Sequence, residues 1–165
     1  MILNQQRKVR IARKPLEEFL TKVEKKLGVG EDELAVCFVS DVEIARMNQQ
    51  FRKKQGPTDV LSFPQENACS PLVTRHSPRL RPKLQSRVKL SSPPSRHSRP
   101  AYLGDIAIAP AVARRYAKKN GRTLDSELRI LILHGVLHLL GYDHETDRGE
   151  MDRVEQKLRR RFGLA

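Results

Sequence analysis

Three of the five histidines in this chain occur within eleven residues, as His134, His138 and His144, with Gly141 between the last two. Residues four apart lie on the same face of an α-helix, so His134 and His138 can point their imidazoles at one ion. A glycine just after the last helical turn can adopt the left-handed conformation that reverses the chain and brings His144 back. The spacing therefore predicts a metal centre with His134, His138 and His144 as its ligands.

The type of ligand indicates the type of metal site. Three neutral imidazoles leave one position of a tetrahedral ion open, which is typical of catalytic zinc, whereas structural zinc sites are full and rich in cysteine. The helix that carries the first two histidines is apolar nearly all round, and a single histidine on such a buried helix is more often a core residue. Two histidines at helical spacing and a third after a helix-ending glycine favour a site for one zinc ion per chain.

The same spacing resembles the signature of the metzincin proteases, with one departure. Gly135 stands directly after the first histidine, where those proteases carry the glutamate that acts as general base. A metalloprotease-like hydrolase that lacks its usual base is therefore one alternative function.

The charge of the chain indicates its partner. Its 165 residues carry a formal net charge of +13 with an isoelectric point near 10.3, which favours a polyanion such as nucleic acid, although simple solubility is a competing explanation. The chain has no tryptophan, and 5% of its residues are aromatic. Binding of nucleic acid is therefore expected to depend on phosphate contacts more than on base stacking.

The cysteines and the N-terminus indicate the compartment. Cys37 lies in an apolar run and Cys69 in a polar tract, which is not a disulfide framework, so a reduced cytoplasmic setting is expected. The first residues lack the apolar core of a signal peptide, and no apolar run has the length of a membrane span.

Periodicity predicts alternating strands and helices in one domain that spans residues 1–165. Strands are expected at residues 2–6 on a sheet edge, at 34–39, within 57–64 and at 103–108. Helices are expected from Pro15 to Gly28, after the capping box that starts at Ser40, from about Pro110 to Asn120, after the cap Thr123, and around Met151, Val154 and Leu158. The helix after Ser40 is expected to bury Ile44, Met47 and Phe51.

Four features in this order carry a resemblance to a known family: Arg52, residues 57–64, residues 103–106 and the histidine motif. Together they resemble the YbeY family of rRNA maturation endoribonucleases, over about residues 34–64 and 102–162. The resemblance implies an α+β fold, with a small mixed β-sheet packed by about five helices and a central buried helix that bears the histidines. It also implies zinc at the three histidines and hydrolysis of single-stranded RNA, with Arg52 as the functionally important arginine.

The resemblance further implies a role in 16S rRNA 3′-end maturation and ribosome quality control, with rRNA and the small ribosomal subunit as partners. From the chemistry, zinc would activate a water and Arg52 would stabilise the extra negative charge on the phosphoryl group. Attack by water and attack by the 2′-hydroxyl of the RNA both remain open. Asp59, Asp105 and Asp143 are candidates to orient a ligating histidine, with a structural role as the alternative for each. A non-catalytic RNA-binding assembly factor with a structural zinc is the other alternative function.

Residues 65–101 depart from the family pattern. This tract contains eight lysines and arginines against the single acid Glu66, a net charge of +7, and six of the ten prolines. It shows no sustained apolar period, so it is predicted to be a disordered insertion. Its two interpretations are a basic arm that gathers RNA and a neutral insertion. His76 and His97 lie in this tract and are not counted as ligands.

Overall fold

The computed structural model describes residues 1–30, 33–65, 102–144 and 147–164. Apart from Gln65, the predicted basic insertion lies outside the described residues, as does Cys69. The described residues form four strands, five α-helices and one π-helical turn. In chain order they are β1 (Ile2–Asn4), α1 (Arg13–Leu27), β2 (Leu34–Phe38), α2 (Asp41–Met47), the π-helical turn (Asn48–Arg52), β3 (Val60–Pro64), β4 (Gly104–Ile108), α3 (Pro110–Lys119), α4 (Leu124–Leu139) and α5 (Glu150–Arg161).

The strands form one mixed sheet in the order β1-β2-β4-β3. The pairs β1/β2 and β2/β4 are parallel, and β3 runs antiparallel to β4 with Val60 opposite Ile108 and Pro64 opposite Gly104. The predicted α+β class, with a small mixed sheet and five helices, is confirmed. The edge position of β1 is also confirmed, although the strand ends at Asn4, two residues earlier than expected.

The two faces of the sheet are covered by different helices. Side chains alternate along a strand, and Val36 and Ile106 accordingly face the larger core shared with α1 and α4. Cys37 and Ala107 point the other way, into a smaller core with Ile44 of α2. A strand that is buried on both faces has a nearly continuous apolar sequence, and for this reason β2 and β4 could be predicted from the sequence.

Helix α4 is the central helix of the fold, as predicted. Its N-terminus is capped by Thr123, whose hydroxyl oxygen accepts a hydrogen bond from the Ser126 amide at 3.1 Å. It packs against α1, α3, α5, β3 and β4. Six of its side chains, each buried, illustrate how fully it is enclosed: Leu128, Ile132, Leu133, Val136, Leu137 and Leu139. Burial of each such side chain contributes about 1.5–3 kcal/mol of hydrophobic free energy.

Two predictions about helices are corrected. Helix α1 begins at Arg13 and not at Pro15, because proline is tolerated anywhere in the first turn, where the amide groups have no partner within the helix. The helix after Ser40 does not continue regularly to Arg52. It changes into a π-helical turn at Asn48, and that turn ends at Lys53 in the left-handed conformation (φ 57°).

The π-helical turn changes the position of Phe51. Its longer hydrogen-bond period shifts the residues within and after it around the helix axis relative to an α-helical stripe. Phe51 is consequently 59% exposed instead of buried, and its ring meets Phe63 edge to face at 5.1 Å. The buried side chain of Asn48 donates to the carbonyl of Gly56 at 2.9 Å and ties this segment to the chain before β3.

In the described ranges, no helix is both long enough and apolar enough to cross a membrane.

Candidate metal centre

The end of α4 reverses the chain at Gly141, as the sequence predicts. Gly141 has φ 90°, which favours glycine. Its amide donates to the carbonyl of His138 at 3.0 Å, and the amide of Tyr142 donates to the carbonyl of Leu137 at 3.1 Å. These bonds satisfy carbonyls that the end of a helix would otherwise leave without partners. The reversed segment carries His144 back towards the helix.

The three predicted ligands come together. One ring nitrogen from each of His134, His138 and His144 lies within 4.8 Å of the other two, and the Nε2 atoms of His134 and His138 are 3.1 Å apart. Nitrogens bound at 2.0–2.1 Å to one tetrahedral ion are about 3.3–3.4 Å apart. The spacing and the chemistry of this donor set therefore fit a metal ion held by three imidazoles, and these three histidines are positioned to bind one.

An acidic residue that the sequence analysis missed completes the centre. The Glu155 carboxylate lies 2.9 Å from Nδ1 of His134 and 3.0 Å from Nε of Arg159. A proton on Nδ1 that is donated to this carboxylate leaves the Nε2 lone pair of His134 free to bind a metal. The signal was present in the sequence, since Glu155 is four residues after Met151 and three before Leu158, on the buried stripe of α5.

The electrostatics favour the neutral form of His138 and the ionised form of Glu155. Burial lowers the pKa of His138, and the nearby His134 and His144 lower it further, against the opposing charge of Asp143. Burial by itself raises the pKa of Glu155, but its hydrogen bond with His134 and the charges of His134 and Arg159 outweigh burial and leave that pKa lowered. Neutral histidine is the form that binds metal ions.

The residue after the first histidine faces the sheet. A β-carbon added at Gly135 would lie 2.7 Å from Cγ2 of Ile106 in β4, and the hydroxyl of Ser62 in β3 donates to the Gly135 carbonyl at 3.4 Å. At this position, where metzincin proteases carry their catalytic glutamate, the helix backbone packs directly on the sheet. Position 135 therefore has neither the glutamate of those proteases nor space for it.

Comparison with known proteins identifies relatives of this chain. A family model described as "Endoribonuclease YbeY" matches residues 1–163. The chain belongs to the YbeY family. It is 37% identical to an endoribonuclease YbeY of Koribacter versatilis over 99% of this chain and 86% of that one. It is 36% identical to an endoribonuclease YbeY of Solibacter usitatus over 93% of this chain and 82% of that one.

Among solved structures, the solution structure of TM1509 from Thermotoga maritima superposes with a TM-score of 0.56. The two sequences are 29% identical, and the alignment covers 95% of this chain and 85% of that chain. The family-model match and the two relatives confirm the resemblance to the YbeY family that the motifs carried.

The other residues singled out from the YbeY-like motifs have separate positions. Arg52 is exposed and ends the π-helical turn, eight residues before β3, the strand whose Ser62 contacts α4 beside His134. Asp59 accepts from the Val60 amide at 3.0 Å and Asp105 accepts from the Tyr102 hydroxyl at 2.6 Å, and these local bonds support the structural alternative for both. The catalytic role of Arg52 remains a prediction.

A cleft of about 280 Å³ adjoins His134 of this YbeY-family chain. It lies between the end of α3, the N-terminal half of α4, the start of β3 and α5. His134 and Glu155 form part of its wall, so the cleft reaches the metal centre from the side on which Glu155 contacts His134.

Proposed function

We propose that this chain is a metal-dependent endoribonuclease that cleaves single-stranded RNA and uses one zinc ion per chain. The observation that carries the proposal is the convergence of three imidazole nitrogens, one each from His134, His138 and His144, in a member of a family described as endoribonucleases. These three histidines would hold the ion and would leave it able to bind a water or a substrate oxygen.

The chemistry depends on the bound metal and on the residues that hold it. His134, His138 and His144 would hold the zinc ion, which would lower the pKa of a bound water to about 7 and so supply a nucleophile at neutral pH. Glu155 keeps His134 in the tautomer that presents Nε2, at a hydrogen-bond distance of 2.9 Å. We assign to Arg52 the stabilisation of the negative charge that develops on the phosphoryl oxygens, because a guanidinium can donate two parallel hydrogen bonds to them.

The proposed substrate is ribosomal RNA. The motif resemblance implies 16S rRNA 3′-end maturation and ribosome quality control, with the small ribosomal subunit as partner. The proposed location, which rests on the cysteines, is the cytoplasm. The net charge of +13 supports a polyanionic substrate of this kind. Cys37, which is free, supports a reducing compartment.

The test compares zinc-loaded protein, chelated protein, and chelated protein to which zinc has been returned. Each is incubated with single-stranded RNA, with duplex RNA of the same sequence and, as a check for peptidase activity, with casein. Cleavage of the single strand alone, lost on chelation and restored by zinc, is the expected result. Equal cleavage in the chelated sample, or digestion of casein without digestion of RNA, would overturn the proposal.

A further inference from the structure

The side chains that line the cleft beside His134 suit an uncharged part of an RNA chain better than a phosphate. Tyr116 and Asn120 at the end of α3 line one side, and Arg122 and Glu127 near the start of α4 line another. At about 280 Å³, the cleft is near the lower limit of the 300–1,000 Å³ typical of pockets for drug-sized ligands. It therefore has space for one small group and not for a folded segment of nucleic acid.

The charges that line the cleft nearly cancel. Its three carboxylates are already paired: Glu127 with Arg122 at 3.2 Å, Glu155 with Arg159 and His134, and Asp59 with backbone and hydroxyl donors. Three carboxylates and two guanidiniums give a formal charge of −1, which a divalent ion at the histidines would change to +1. The described residues that line the cleft therefore do not form a strongly basic phosphate site, although the chain as a whole carries a net charge of +13. The cleft is suited to a neutral polar group.

The chemistry of the lining suits a flat ring. Tyr116 is 45% exposed and presents an aromatic ring at the cleft, while Ile130 and Leu131 supply apolar wall. The amide of Asn120 carries both hydrogen-bond donors and an acceptor. An aromatic ring, an apolar wall and an amide are the groups with which proteins recognise unstacked bases of single-stranded RNA.

We propose that this cleft binds one nucleobase of the RNA strand, with Tyr116 as the stacking residue and Asn120 as a hydrogen-bonding residue on the base edge. The inference rests on the proposed ribonuclease function and deepens it. Because His134 and Glu155 form part of the same wall, the bound base belongs to a nucleotide close to the scissile phosphate. The cleft would thus make cleavage depend on the base at that position.

The first experiment tests base binding without cleavage. The chain has no tryptophan, so Tyr116→Trp introduces a single fluorescent reporter in the cleft. The probes are the four nucleoside 5′-monophosphates, which contain no phosphodiester bond, and ribose 5-phosphate as the matched compound without a base. We expect saturable quenching by at least one nucleotide, no quenching by ribose 5-phosphate, and no quenching in Val42→Trp, a control on α2 where the native side chain is 80% exposed. Equal effects of ribose 5-phosphate and the nucleotides, or no saturable quenching, would overturn the proposal.

The second experiment separates this inference from the proposed function. Steady-state cleavage is measured on single-stranded RNAs that differ in base identity, for the unmodified chain, Tyr116→Ala, Tyr116→Phe and Asn120→Ala. Loss of stacking is expected to raise KM by about 5- to 150-fold in Tyr116→Ala, Tyr116→Phe should retain the native KM, and Asn120→Ala should alter base preference. Unchanged KM and base preference in both alanine variants would overturn the base site alone, whereas no RNA cleavage by the unmodified, metal-loaded chain would overturn the proposed function.

Discussion

Gly135 of α4 lies against Ile106 of β4 so closely that an added β-carbon would come within 2.7 Å of Cγ2 and 2.9 Å of Cδ1 of that isoleucine. Ile106 is completely buried, and its β-branched side chain has few rotamers to which it could move. The contact sets the distance between the helix that carries His134 and His138 and the sheet below it. Glycine at this position is therefore a requirement of packing.

Gly135→Ala is expected to destabilise the protein. Alanine gains about 1 kcal/mol of helix propensity over glycine, but overpacking of a core typically costs about 1–3 kcal/mol, and the rigid neighbour favours the larger cost. Urea denaturation of Gly135→Ala, Ile106→Ala and the double variant measures the coupling. We expect the double variant to be more stable than the sum of the single effects predicts. Additive effects would show that the two residues do not constrain each other.

Glu155→Gln is expected to weaken metal binding by about 10- to 100-fold, because glutamine removes the charge that supports His134 as a ligand. Competition with a chromophoric chelator measures the affinity. Glu150→Gln on the exposed side of the same helix is the matched control. His138→Ala, which removes one of the three histidines, gives the lower limit of the zinc affinity. An affinity for zinc that is unchanged in Glu155→Gln would remove Glu155 from the metal centre.

The convergence of the three histidines could be predicted because the information that places them is local. Helical spacing aligns His134 with His138, and the glycine conformation at position 141 determines where the chain turns. The partner of His134 could not be assigned in the same way. Glu155 is 21 residues away in sequence, and only the packing of α5 on α4 brings the two together.

Phe51 shows a second limit of reading the sequence alone. A continuous helix from Ser40 would bury this side chain with Ile44 and Met47, and nothing in the local sequence indicates a change to π-helical hydrogen bonding at Asn48. The bond from the Asn48 side chain to the carbonyl of Gly56 is formed only once the following segment has folded back. Tertiary contacts of this kind override a local hydrophobic period.

Asp147 is expected to stabilise the fold at neutral pH and not in acid. Its carboxylate accepts hydrogen bonds from the amides of Met151 at 2.6 Å and Gly149 at 2.7 Å, and the bond from Met151 is the largest cause of its lowered pKa. A group whose pKa is lower in the folded state contributes stability above its ordinary value, here 3.8, and loses that contribution as pH falls through the folded value.

The measurement is urea denaturation of the chelated protein and of chelated Asp147→Ala at several pH values. The difference in midpoint should be largest near neutral pH and should shrink below the ordinary pKa of the carboxyl. Asp152→Ala, which removes another acid from the first turn of α5, controls for the loss of a negative charge. A difference that persists unchanged in acid would contradict the assigned cause.

Replacing residues 68–99 with a short Gly/Ser linker is expected to leave the fold intact. The ends of the tract are already held together, because the amide of Gln65 donates to the carbonyl of Leu103 at 2.9 Å and Pro64 pairs with Gly104. The replacement removes eight basic residues. RNA affinity should therefore fall and become less dependent on salt, by about 0.7 in the slope of log K against log salt for each lost phosphate contact.

Thermal denaturation and RNA titration over a range of salt concentrations test both parts of this prediction. An unchanged melting temperature with an unchanged salt slope would favour the neutral insertion over the RNA-gathering arm. A variant that fails to fold would show that the tract contributes to the core, against the prediction from its composition.

Arg52 provides the sharpest test of the proposed mechanism. As a cation at a helix end, Arg52 would stabilise the helix dipole, and Arg52→Lys would then change little, because a lysine supplies the same point charge. If Arg52 donates two hydrogen bonds to the phosphoryl group in the transition state, lysine cannot replace both. Arg52→Lys should then lower kcat, and Arg52→Ala should lower it by about 10²–10³-fold, or about 3–4 kcal/mol of barrier.

Single-turnover cleavage of saturating single-stranded RNA distinguishes these two roles, because saturation removes the effect of weaker binding. Lys53→Ala is the matched control, since it removes the adjacent cation from the same exposed segment. Zinc content should be equal in all variants, which separates a loss of chemistry from a loss of metal. A native rate in Arg52→Ala would exclude a catalytic role for this arginine, and stabilisation of the phosphoryl charge would then have to come from another residue of the chain.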